Sequence, residues 1–87
     1  MLIGKVIGSV VSTRKNENLV GNKFMIVEPF SGYGEKKRIV AVDNVGAGLG
    51  EAVLVALGSA ARIGIEKNTS PVDAAIVGII DDPSSIK

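Results

Sequence analysis

The sequence predicts a mainly β domain: a small five-stranded, OB-like β-barrel with a short helical insert before the last strand. Three observations lead there. Five segments rich in Val, Ile and Ala alternate with polar or glycine-bearing connections. The first segment alternates with period two, and the fourth is a short continuous apolar run. A compact helix-start signature stands just ahead of the fifth segment. Five strands in so short a chain manage their open edges by closing on themselves.

Residues 2–12 form the first strand. One alternate set, Leu2, Gly4, Val6, Gly8 and Val10, is wholly apolar or glycine, and the other, Ile3, Lys5, Ile7, Ser9 and Val11, carries the polar residues. The even positions are expected inward. Gly4 and Gly8 then leave the inner face without side chains, which suits a bent strand or one closely approached by another backbone. Ile3, Ile7 and Val11 remain outside, available for a subunit contact. Residues 13–22 are polar and form a loop. Lys23–Phe30 is the second strand, with Pro29 marking an edge or an end. The turn that follows holds Gly32 and Gly34, which tolerate positive φ. Residues 37–45 make the third strand, and Gly46-Ala47-Gly48-Leu49-Gly50 a tight turn. Glu51–Leu57 is apolar on both faces and therefore covered on both. Residues 58–63 suit one helical turn capped by Ser59. In Ser70-Pro71-Val72-Asp73, Ser70 can cap and Pro71 occupies the first helical position. Ala75–Asp81 is the fifth strand. One domain spans residues 1–82, and 83–87 are a short polar tail.

Composition narrows the function. A chain of 87 residues buries only about 60–65% of its unfolded surface. Yet 46% of the residues are hydrophobic and the mean hydropathy is +0.36. A thin core cannot hide that much apolar surface, so part of it is expected to face another chain. Ten Lys and Arg against nine Asp and Glu leave a net charge of +1, which argues against binding phosphate backbones. Phe24, Phe30 and Tyr33 are too few to stack along a nucleic-acid strand. Without Cys there is no disulfide, thiol nucleophile or thiolate metal site, and without His the commonest general base and metal ligand are missing. The longest apolar runs, of seven residues, fall far short of the ~20 of a membrane helix. No signal peptide is read, so the expected location is the cytosol, away from membranes.

The candidate chemistry is sparse. Gly46–Gly50 follows a strand, and Glu66 lies twenty residues after Gly46, as a ribose-binding acid would. The spacing, however, is G-x-G-x-G, and Val53 and Val55 continue as a strand where a dinucleotide fold needs a helix. A small nucleotide-binding regulator built on this turn and an OB-fold nucleic-acid-binding domain are the alternative functions. Asp43 stands in an apolar strand and needs a partner. Arg62 is the candidate, within or between subunits, as a structural ion pair. Asp73 reads as part of a cap and Asp81-Asp82 as a solvated strand end. The acids match no metal-loop spacing. Arg14-Lys15 and Lys36-Lys37-Arg38 read as solvated loops, and Ser12, Ser59 and Ser70 have no histidine to activate them. No catalytic, cofactor-binding or metal-ligating residue is assigned, and no cofactor is expected.

Read together, three strings resemble one family. They are Ala41-Val42-Asp43-Asn44-Val45-Gly46-Ala47-Gly48-Leu49-Gly50-Glu51, then Val53-Leu54-Val55, then Gly58-Ser59-Ala60-Ala61-Arg62. The family is EutN/CcmL, the pentameric vertex proteins of bacterial microcompartment shells. Gly4–Thr13 is similar to its first strand, Leu19–Lys23 to the approach to its second, and Ser70–Asp81 to its last segment. The connection between the second and third strands is short here, and Ala60 stands where the family often has Ser. The resemblance implies an OB-like barrel, five to a ring with a narrow central opening, and a structural role without enzymatic activity. It also implies hexameric shell proteins as neighbours and a place in a microcompartment shell within the cytoplasm. Asp43, Asn44, Gly46, Gly48, Gly50, Glu51, Ser59 and Arg62 are the residues expected near a subunit boundary or the pore. The Arg14–Asn18 and Ser31–Lys37 loops are alternative rims that would face neighbouring hexamers.

Overall fold

The computed structural model describes residues 1–11, 23–33, 37–58, 60–61, 73–82, 84 and 86. All five predicted strands are present: β1 (Leu2–Val10), β2 (Lys23–Pro29), β3 (Ile39–Asp43), β4 (Ala52–Leu57) and β5 (Ala74–Ile80). They form a closed barrel in the order β1-β2-β3-β5-β4. Every neighbouring pair is antiparallel except β3 and β5, which run parallel over Val42–Ala75 and Asp43–Ile76.

Inward positions are mostly small or branched. Leu2, Val6, Met25, Val27, Ala41, Val53, Val55, Ala74 and Ile76 make one buried cluster. A five-stranded barrel is narrow, so Val and Ala fill it where larger side chains would collide. Val6, Val27, Val53 and Val55 are wholly buried.

The alternation predicted for β1 holds for its first part only. Leu2, Gly4 and Val6 are buried, but the register with β2 shifts between Val6 and Gly8. This bulge puts an extra residue, Ile7, into β1 and turns the positions after it over. Gly8 and Val10 therefore pair with the outward Ile26 and Phe24. The expectation that Gly8 and Val10 point inward is corrected here.

Of the two β1 glycines, Gly4 is the one closely approached by a second backbone. A Cβ built on it would lie 2.8 Å from the Glu28 carbonyl oxygen and 2.6 Å from Val27 Cγ1. At Gly8 the nearest atom, Ile26 Cδ1, is 3.5 Å away.

β4 is covered on both faces over most of its length, as its apolar run predicts, and β5 is so at its start. Val53, Val55 and Ile76 enter the core. On the outer side Ala75 joins Val42 and Ala61 in a second buried cluster against Phe24. Ala61 comes from the stretch between β4 and β5, where the helical insert is expected. Ala60 and Ala61 are helical, and the rest of the insert, Ser59 and 62–72, lies outside the described residues.

Candidate functional site

β3 stops at Asp43, two residues before the predicted end, because its carboxylate bends the chain. Asp43 is 4% exposed, and an ionised carboxylate so placed needs donors. It finds three in the backbone that follows. Val45 N–H and Gly46 N–H donate to Oδ1 at 2.9 and 3.1 Å. Ala47 N–H donates to Oδ2 at 2.8 Å. Charge-assisted bonds of this kind are stronger than neutral ones, and Asp bonding to its own downstream backbone is a common turn device. Gly46 meets the geometry with φ 83°, a conformation that costs residues with a Cβ. The turn drops Ala47 into the barrel end, where it joins the core.

The second half of the turn is stitched to itself and to β1. Gly48 N–H donates to Glu51 Oε1 at 2.6 Å, and Glu51 N–H donates back to the Gly48 carbonyl at 3.2 Å. Gly50, with φ 85°, donates to the Val6 carbonyl at 2.8 Å, and Val6 N–H donates to the Glu51 carbonyl at 3.0 Å. Both acids of the motif thus hold backbone. Sequence reading offers Arg62 as the partner of Asp43 in a structural ion pair. The described structure supplies three amide donors, and Arg62 lies outside the described residues.

Of the eight residues expected near a boundary, Asp43, Asn44, Gly46, Gly48, Gly50 and Glu51 come together in this one turn, with Asn44 exposed at its start. Ser59, like Arg62, lies outside the described residues. The turn also carries two apolar side chains that sequence reading passes over, Val45 at 43% and Leu49 at 70% exposure. A leucine set between two glycines of a surface turn is the signal that could have found the second.

Among the described residues the other charged groups are surface features. Arg38 Nε lies 3.3 Å from Glu28 Oε2 with both side chains mostly exposed, a pair worth about 0–1 kcal/mol. Asp82 accepts from Ser84 Oγ at 2.7 Å and from its N–H at 3.0 Å. These two bonds, the hydroxyl's first, hold the Asp82 carboxyl below its ordinary value. Among the described residues no three acids come together as a metal-ligand group, and no helix is long and apolar enough to cross a membrane.

The barrel and its sequence are shared with known proteins. The family model described as "Ethanolamine utilisation protein EutN/carboxysome" matches residues 1–81. The bacterial microcompartment shell vertex protein GrpN of Rhodospirillum rubrum (strain F11) is 47% identical, covering 99% of this chain and 99% of GrpN. The carboxysome shell vertex protein CcmL of Synechocystis sp. (strain ATCC 27184 / PCC 6803 / Kazusa) is 49% identical, over 93% of this chain and 83% of its own. Among solved structures, a protein described as "Ethanolamine utilization protein, EutN" superposes with a TM-score of 0.87 at 39% identity, covering 94% of this chain and 88% of the other. The GrpN pentameric microcompartment shell protein from Rhodospirillum rubrum does so with a TM-score of 0.82 at 48% identity, over 94% and 95%. With the family model spanning all five strands and one relative aligned end to end, the chain belongs to the EutN/CcmL family.

Proposed function

We propose that this chain is a structural subunit of a bacterial microcompartment shell, with five copies closing into a ring that occupies a vertex. The observation that carries the reading is likeness over almost the whole chain to a pentameric shell protein, at 48% identity and a TM-score of 0.82. The composition agrees: apolar residues remain exposed on the subunit, among them Leu49, Val40 and Val11. The role is geometric. A layer of hexameric plates lies flat, and a pentagon set among them introduces the curvature of a corner. The partners are therefore four further copies of this chain and hexameric shell proteins, in a shell within the cytoplasm. No catalysis is required of it, and both motif acids are engaged in holding the turn. Native mass tests the reading: five copies are expected at micromolar concentration, and a lone subunit would overturn it.

Within the ring, the 43–51 turn lies at a subunit boundary, with Ser59 and Arg62 close by. Its backbone is held at both ends, while Val45 and Leu49 stay exposed at its tip. Gly48→Val tests this placement. A Cβ there would lie 3.2 Å from Glu51 Oε1, so the substitution pushes on the Glu51 clamp and reshapes the tip. The barrel is expected to lose no more than about 1 kcal/mol, while the native mass falls below five copies. Unchanged mass and heat resistance would remove the turn from the boundary.

A further inference from the structure

The closed barrel is not equally strong all round. β1 pairs with β2 from Gly4 to Val10, β2 with β3 from Lys23 to Val27, and β4 with β5 from Ala52 to Leu57. β3 and β5 meet over two pairs, Val42–Ala75 and Asp43–Ile76. This seam is also the parallel one, and parallel pairing is the weaker kind per residue. It is short for reasons at both ends. β5 begins at Ala74, one residue before the first pair. Beyond Asp43 the chain bends away, because the carboxylate holds the amides of Val45, Gly46 and Ala47. On β5, Val77 is an extra residue between Ile76 and Gly78 in the register with β4, and such a bulge bends its strand. Each strand therefore turns from the other soon after they meet.

On its outer side the seam carries a small apolar seal. Val42 and Ala75, one of the two pairs, form a buried cluster with Ala61, and Phe24 packs against it. Ala61 is 0% exposed and comes from the turn that leaves β4. That turn is rooted at Gly58, with φ 63°. Gly58 N–H donates to the Asp73 carbonyl at 2.7 Å, and Ala61 N–H donates to the Gly58 carbonyl at 3.1 Å. One methyl group buries little area, so it holds lightly. We propose that β3 and β5 part as a unit within the folded subunit, and that the Gly58–Ala61 turn, seated by Ala61 on the Val42–Ala75 pair, is the strap that keeps them shut. Parting leaves the four antiparallel pairings intact as one open sheet, β3-β2-β1-β4-β5. The barrel wall thus has one line along which it yields. The device belongs to a single barrel, so it stands whether or not five copies close into a ring.

The chain has no cysteine, so a single introduced thiol reports the opening of its own site. Val42→Cys probes the strap side of the seam and Ala41→Cys the core side. Val53→Cys, in the core on β4, reports global unfolding. Labelling of the native protein with a chromogenic aromatic disulfide gives the rates. Both seam variants are expected to react about a hundredfold faster than Val53→Cys, at rates that low urea hardly changes, whereas Val53→Cys follows the full urea dependence of unfolding. Seam thiols no faster than Val53→Cys, or as steep in urea, would overturn the proposal. Fast labelling of Val42→Cys beside slow labelling of Ala41→Cys would also overturn it, since the strap would then lift off a barrel that stays shut. If Ala41→Cys does not fold, Ile76→Cys samples the same side of the seam. Ala61→Gly, added to each probe, tests the strap. It is expected to speed both seam thiols by the same factor, about tenfold, by which it lowers global stability, because its contact is lost in either opening. A fall in global stability with no faster labelling at the seam would mean that Ala61 stays seated while the strands part, and would remove its role as the strap.

Discussion

Gly4→Val is expected to leave no folded subunit, and Gly4→Ala to cost the barrel about 3 kcal/mol, the upper end for overpacking a tight core. The Cβ that either substitution adds would meet Val27 Cγ1 at 2.6 Å and the Glu28 carbonyl oxygen at 2.8 Å. Neither neighbour can yield. Val27 is wholly buried, and Glu28 sits in the β1–β2 ladder opposite Lys5. Moving β1 outward would break its pairing with β4 on the other side, where Gly4 stands opposite Val53. A small barrel has little stability to lose. Urea unfolding followed by far-UV circular dichroism checks this. A Gly4→Ala midpoint equal to that of the wild type would mean β1 and β2 are not so close. Gly8→Ala serves as the contrast: its Cβ has ordinary room beside Ile26, so the barrel should persist.

The second large effect is expected at Asp43. Asp43→Ala removes the acceptor of three backbone N–H groups at once. Val45 and Gly46 are exposed, so water replaces the carboxylate for them. Ala47 is buried, and its stranded N–H bears the full penalty. A total of about 3 kcal/mol follows from one unsatisfied buried donor and two weakened charge-assisted bonds. Asp43→Asn should fall between, since its amide oxygen keeps one acceptor while its NH₂ group faces a backbone donor. The amide of Ala47 should exchange with solvent much faster in both variants. If Ala47 keeps its wild-type protection in Asp43→Ala, the carboxylate does not hold the turn.

These two residues show how far the sequence could be read. Gly4 was legible as a gap in an apolar alternation, but nothing local separated it from Gly8. The distinction depends on how close β2 passes at each point and on the bulge at Ile7, and both are set by pairing across the barrel. Asp43 was legible as an acid in an apolar strand that needs a partner. Sequence reading looks for that partner among distant charges, whereas the structure supplies the next few amides of the same chain. Amide direction is decided by φ and ψ, including the positive φ of Gly46, and residue types alone do not report it. The outward apolar side chains were harder still. Val10 and Val40 become neighbours only through Phe24 and Ile26 on β2, so their patch has no counterpart along the chain.

By itself the sequence determined the number, order and approximate limits of the strands, the glycine turn after β3 and the family, because period-two alternation, turn residues and an uninterrupted motif are local properties. Only the tertiary structure decided the β1 register slip, the clamp that Asp43 and Glu51 place on the turn, and which apolar side chains face outward together. Those depend on which backbones meet when the sheet closes, and closure joins residues far apart in the chain.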